Sequence, residues 1–175
     1  MKKIEFKKTT NIFEICKKLA ISSLEINGKK VSATSVNLHA KRYKKALTKG
    51  MKQNDKAFLY VMRCADTGEE LGSYFSSVSG IDSRLSFLNK VYVQPEHRHE
   101  NYFTDLVNHF EENHHGIKLV ETLPEEVDLY KELYAKWGYT KSAANIMPNS
   151  WVLVKERDIA ALQTICDNVG KAYAA

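Results

Sequence analysis

Val91-Tyr92-Val93-Gln94-Pro95-Glu96-His97-Arg98-His99-Glu100-Asn101-Tyr102-Phe103 is the stretch on which the reading of this chain turns. Arg84 to Val93 is an extended run, and Gln94-Pro95 ends it because proline has no amide hydrogen to give to a ladder. A polar loop follows, after which Tyr102, Phe103, Leu106, Val107 and Phe110 recur at helical spacing until Gly116. Strand, proline, loop and helix in that order gather backbone N–H groups at a helix N-terminus. Unpaired amides and the helix dipole there favour an anion such as phosphate. Arg98 adds a positive charge beside the loop.

Outward from this segment the elements alternate. Ala57 to Cys64 and Leu71 to Val78 are two strands joined by the turn Asp66-Thr67-Gly68-Glu69, a β-hairpin. Before it, Ile4 and Phe6 alternate with charged residues as in a half-buried strand. Thr9, Thr10 and Asn11 then offer a cap for a helix carrying Ile12, Phe13, Cys16, Leu19 and Ala20. A second helix, capped from Ser32 to Ser35, runs to Gly50. After the central segment come a strand at Ile117 to Glu121, a helix from Pro124 through Trp137 stopped by Gly138, a strand at Ser150 to Lys155 and a helix from about Arg157 to Tyr173. The reading is an α/β chain with a mixed sheet, antiparallel in its N-terminal half and β-α-β in its C-terminal half, flanked by helices. Residues 1–156 read as one domain, with 157–175 a helix packed on it.

The 175 residues, 43% hydrophobic and 27% charged, suit one compact globular unit rather than a disordered chain. Cys16, Cys64 and Cys166 are odd in number and widely spaced, which argues against a disulfide framework and for a reduced, cytoplasmic setting. No apolar run reaches the length of a signal peptide core or a membrane span, so no membrane partner is expected. Charge is asymmetric: residues 1–56 hold fifteen Lys and Arg against four acidic residues, and the remainder eleven against seventeen. The surplus is densest on the second helix, at Lys41, Arg42, Lys44, Lys45 and Lys49. It reads either as a solvated face or as an attraction for an acidic substrate, an acidic protein or nucleic acid, with sparse aromatic interleaving disfavouring base stacking.

Val93, Pro95 and Arg98 stand where the motif Val-x-Pro-x-x-Arg-x-x-Gly-x-Gly/Ala places them, and so the chain resembles the GNAT N-acetyltransferase superfamily. Asn101 and Phe103 occupy the two glycine positions. Asparagine tolerates a left-handed backbone, whereas Phe103 puts a ring where the family lets the backbone approach pyrophosphate. Leu133-Tyr134-Ala135-Lys136-Trp137-Gly138-Tyr139 is similar to the family's [Leu/Phe]-Tyr-x-Lys-x-Gly-[Phe/Tyr]. The resemblance covers residues 1–156 and implies acetyl-CoA as co-substrate, with direct attack of an amine in a ternary complex. It implies that the backbone of Val91 and Val93 pairs with the pantetheine arm, that Arg98, His99, Glu100, Asn101, Tyr102 and Phe103 hold pyrophosphate, and that Tyr134 protonates the departing thiolate. In the first two helices it places the border of the acceptor site.

The general base is less marked. No carboxylate lies between Arg84 and Gln94, leaving Glu121 at the end of the next strand as the candidate, against its reading as a solvated strand-end group. Glu125, Glu126, Val127 and Asp128 fill the stretch where the family often carries an asparagine. His97, His99, His109, His114 and His115 read as loop and helix-end imidazoles rather than metal ligands, so no metal is expected. The replaced glycines and the missing base also fit another reading, a GNAT-like binding module without catalysis that engages an acidic protein or nucleic acid through its basic N-terminal helices. The stripe Ile159, Leu162, Ile165 and Val169 packs on its own domain or against a second copy in a homodimer.

Overall fold

The computed structural model describes residues 3–29, 31–50, 56–147 and 150–174. Met1-Lys2 and the last residues of the basic stretch, Met51-Lys52, lie outside the described residues. In chain order the elements are β1 (Ile4–Thr9), α1 (Ile12–Ile26), α2 (Ala33–Gly50), β2 (Lys56–Cys64), β3 (Glu70–Val78), β4 (Leu85–Val93), α3 (Tyr102–Asn113), β5 (Ile117–Glu121), α4 (Val127–Tyr134), β6 (Tyr139–Ser142), β7 (Val152–Lys155) and α5 (Ile159–Ala174). The strands form one mixed sheet in the order β1-β2-β3-β4-β5-β7-β6. β1 to β4 pair antiparallel, β4 and β5 pair parallel across α3, and β7 runs antiparallel to both β5 and β6.

Local chemistry explains the boundaries. Asn11 Oδ1 accepts from the amides of Phe13 at 3.0 Å and Glu14 at 3.5 Å, capping α1. Ser32 and Ser35 cap α2 reciprocally, each hydroxyl taking the other's amide. Gly116 turns α3 into β5 at φ 75°, where any Cβ would strike the Arg84 carbonyl. β6 is a strand beyond those read from the sequence: it is four residues long and only Tyr139 is buried, so it offers no alternation to detect.

Both faces of the sheet are covered. α3 and α4 pack on one, where Met62, Tyr74, Leu88, Val120 and Leu153 meet Leu106, Val107 and Phe110. Each such fully buried side chain contributes roughly 2–3 kcal/mol against exposure. On the other face α1 covers Leu59, Val61 and Phe75, while α5 lays Leu162 and Ile165 on Leu85, Leu119 and Val154. A polar knot ties α3 to the β5-β7-β6 end of the sheet. The Glu111 carboxylate accepts from Lys155 Nζ at 2.6 Å and from the Tyr139 hydroxyl, and Lys118 Nζ donates to the Glu111 carbonyl at 2.5 Å. Despite the cost of burial these donors hold the Glu111 carboxyl below its ordinary range.

The histidines correct the reading from sequence. His114 is not a helix-end imidazolium but lies 5% exposed, sharing a 3.1 Å hydrogen bond with Ser76 and leaning on Phe110 at 4.7 Å. Burial first, then the nearby cations Lys8 and Lys118, lower its pKa to about 4. His109 is also held low by burial, stacked on Phe6 at 3.7 Å and bonded to the Tyr74 hydroxyl at 2.8 Å.

The unfolded chain therefore takes up a proton at His114 near the ordinary pKa of about 6.5, while the folded chain does so only near 4. Unfolding is favoured as pH falls between those values, so His114 contributes stability at neutral pH that disappears on acidification. Urea unfolding from pH 7 down to 4 is expected to lose roughly 3 kcal/mol from this group. In His114→Gln the slope in that window should be shallower by the same amount, and an unchanged slope would refute the assignment.

Candidate active site

The site begins with a fault in pairing. Along β3, Phe75 faces Lys90 and Ser76 faces Leu88, so Asn89 is an extra residue in β4, a β-bulge. β4 pairs with β5 only from Leu85↔Ile117 to Leu88↔Val120. Beyond the bulge β4 continues along β3 as far as Val93↔Gly72, with no further β5 pairing. The β5-facing backbone groups of residues 89–93 are thus left for another partner.

Beside this edge lies a cleft of about 270 Å³ lined by Val91, Tyr92, Val93, Arg98, Glu100 and Phe103. Arg98 Nε donates to the Val93 carbonyl at 3.4 Å and its guanidinium stands 5.9 Å over the Tyr92 ring, while the residue remains exposed. Tyr92 is anchored to α1, its hydroxyl donating to Glu25 at 2.5 Å. A 3-10 turn at Pro95–His97 carries the chain from β4 towards α3. Asn101, at φ −76°, gives α3 no side-chain cap, so the first-turn amides keep their donor capacity. The backbone here is not left-handed; what glycine would supply at positions 101 and 103 is space rather than conformation.

Five of the residues named from sequence for cofactor binding line this cleft: Val91, Val93, Arg98, Glu100 and Phe103. His99 and Asn101 are exposed on the loop. Tyr102 is buried instead, its ring edge-on to His97 at 5.8 Å. His97 is buried too, between Glu69 at 3.2 Å and Glu100 at 3.4 Å, and so is not the solvated loop imidazole expected. Glu100 brings an anion to the lip of a cleft whose Arg98 would attract one.

Tyr134 is 3% exposed at the end of α4. Its ring meets Phe103 edge-on at 5.4 Å, stacks near Tyr130 at 6.0 Å and tilts on Trp137 at 5.9 Å. Phe103 therefore leans from the cleft onto the tyrosine rather than standing free in it. Burial raises the Tyr134 pKa well above its ordinary value, with Tyr130 adding to the shift. Among the described residues none hydrogen-bonds its hydroxyl. Such a phenol keeps its proton at neutral pH and can give it only to a strong developing base.

Glu121 lies on the opposite face of the sheet, exposed, accepting from Asn89 Nδ2 at 2.9 Å. The Asn89 carbonyl in turn accepts from Ser77 Oγ at 3.0 Å. Tyr134 lies in the core beneath α3 and α4, and Glu121 ends β5 one residue past its last pairing with β4. Tyr92, Asn89 and Tyr130 belong to this arrangement and were not singled out from sequence. Tyr92 was legible as the residue between Val91 and Val93, whereas a bulge at Asn89 leaves no mark in composition or period. Lys90, next to the bulge, lines a small cavity with Leu19 and Ser22 of α1, and burial lowers its pKa. Among the described residues no group of three or more His, Cys, Asp or Glu could hold a metal ion, and no helix is long and apolar enough to cross a membrane.

No protein-family model and no curated protein matches the sequence. Solved structures do match. An acetyltransferase of the GNAT family from Staphylococcus aureus Mu50 superposes with a TM-score of 0.51 at 12% identity, covering 87% of this chain and 98% of that one. The fold is that of the GNAT acetyltransferases. The PaiA N-acetyltransferase of Thermoplasma acidophilum, solved with coenzyme A, gives 0.51 at 14% identity over 87% and 98% of the two chains. An acetyltransferase of Thermus thermophilus gives 0.51 at 11% over 89% and 99%. The shared fold thus extends over most of this chain at 11–14% identity.

The raised Tyr134 pKa has a spectroscopic consequence. The tyrosinate absorbance of the native protein and of Tyr134→Phe should coincide up to about pH 10, the ordinary phenol value. A component lost in the variant below that pH would show an ionisable, exposed Tyr134.

Proposed function

We propose that the protein is an acetyl-CoA-dependent N-acyltransferase that passes the acyl group to an amine by direct attack in a ternary complex, with residues 1–156 and α5 acting as one domain. The observation that carries the reading is the parting of β4 from β5 after Leu88 and Val120, opening beside a cleft lined by Val91, Val93 and Arg98, with Tyr134 reached through Phe103. An extended pantetheine arm can complete the free edge of β4 as a strand would, and α3 amides with Arg98 can hold pyrophosphate. The amine nitrogen attacks the thioester carbonyl, the carbon–sulfur bond breaks, and Tyr134 gives its proton to the leaving thiolate. Glu121, held by Asn89, takes the proton that the amine releases. Fold likeness alone does not fix an activity, and the reading rests on these residues.

The second reading is a GNAT-like binding module without catalysis, using the basic surface of α1 and α2. Glu100 at the lip of the cleft and the Phe103 ring against Tyr134 favour it.

Isothermal titration with acetyl-CoA separates the two. Micromolar binding by the wild type, retained in Tyr134→Phe, is expected of the transferase. Arg98→Ala should weaken binding about tenfold by removing a charge-assisted contact to phosphate. Replacing Glu100 by Gln should tighten it by up to about fivefold. Binding absent in the wild type and regained in Phe103→Gly would instead support the binding module.

A further inference from the structure

A second cavity lies away from the cofactor cleft, on the other face of the sheet. It measures about 530 Å³, a volume ordinary for small-molecule sites. Leu85 and Phe87 of β4 form its floor, and Ile165, Cys166 and Val169 of α5 form one wall. None of its described lining residues is Asp, Glu, Lys, Arg or His. Among the described residues the body of a ligand here would find mostly apolar surface, the hydroxyls of Ser77, Ser79 and Ser150 and no counter-charge, so a charged body would be desolvated without compensation.

One end of the cavity is different. Ser77, which lines it, donates to Asn89 at 3.0 Å, and Asn89 donates to the Glu121 carboxylate at 2.9 Å. Phe87 faces Leu119, two residues before Glu121 on the same face of β5, so floor and carboxylate are about 7 Å apart along the strand. Ser77 and Asn89 thus link the cavity lining to Glu121, the last residue of β5. We propose that this cavity is the acceptor site and that it takes a primary amine carried on an uncharged aliphatic or aromatic body, the nitrogen directed to Glu121 and the body held between β4 and α5. The choice of an amine rests on the acetyl-transfer reading; the apolar body is read from the walls alone. α5, beyond the extent of the family resemblance, thereby becomes a specificity element.

Cys166 gives a readout that needs no turnover. It is half-buried in the cavity wall, while Cys16 and Cys64 are buried. Site-resolved alkylation of Cys166 by iodoacetamide would be followed in the full chain with phenethylamine, with phenethyl alcohol and with ethanolamine. Phenethylamine at ten times its dissociation constant should slow labelling about tenfold. The alcohol and ethanolamine should each protect less at equal concentration, the first lacking the charge and the second the apolar body. Gly170→Phe projects a ring from the cavity wall, and a Cβ added there meets no atom within 4 Å, so the variant should fold and lose the phenethylamine effect. In Glu121→Gln the preference for amine over alcohol should disappear. Absence of protection by phenethylamine, or protection equal to the alcohol's in the wild type, would overturn the proposal. Acetyl transfer is assayed separately: amine-dependent protection without turnover would sink the catalytic reading and leave the pocket standing.

Discussion

The cleft depends on where β4 loses its second neighbour: β5 ends at Glu121, while β4 runs on to Val93. Asn89 breaks the register with β3 between Ser76↔Leu88 and Phe75↔Lys90, and β4 stops pairing with β5 at the residue before it. Interrupted, the sheet exposes hydrogen-bonding groups between two strands that are otherwise anchored by fully buried neighbours such as Leu88 and Leu119. The bulge residue also holds Ser77 and Glu121, so the device that opens the sheet orients the carboxylate beside the opening.

The two faces of the sheet then take different chemistry. On the side of α3 and α4 the parting meets aromatic rings and a phenol that burial keeps protonated, next to a loop with Arg98 and uncapped helix amides. On the side of α1 and α5 lie the Glu121 carboxylate and a cavity with no Asp, Glu, Lys, Arg or His among its described lining residues. Under the proposed transfer, Tyr134 as acid and Glu121 as base would give the separation that direct attack between two substrates needs. Phe103 is the residue that ties the two motifs together. It replaces the small residue of the family resemblance, and its ring shields Tyr134 while forming part of the cleft beside Arg98.

Much of this could be read from the chain. The β2–β3 hairpin announced itself through the turn Asp66-Thr67-Gly68-Glu69, and Pro95 marked where β4 must end. What escaped did so for physical reasons. β6 buries one side chain in four and has no period. His97 and His114 sit among polar neighbours in sequence, yet their burial is created by Tyr102 and Phe110 from α3, contacts made only in the folded state. The position of Glu121 was legible, but its partner Asn89 was not, because a bulge is a matter of register between strands. The cavity beside α5 was equally hidden, since α5 reads as an ordinary amphipathic helix until it is seen packed beside β4.

The most direct test of the central claim is hydrogen exchange of the β4 amides with and without acetyl-CoA. Slower exchange confined to the free-edge amides of residues 89–93 and the first turn of α3 is expected, since a pantetheine arm would supply the missing ladder partner. Unchanged exchange at residues 89–93 under saturating acetyl-CoA would contradict the assignment of the parting as the cofactor site.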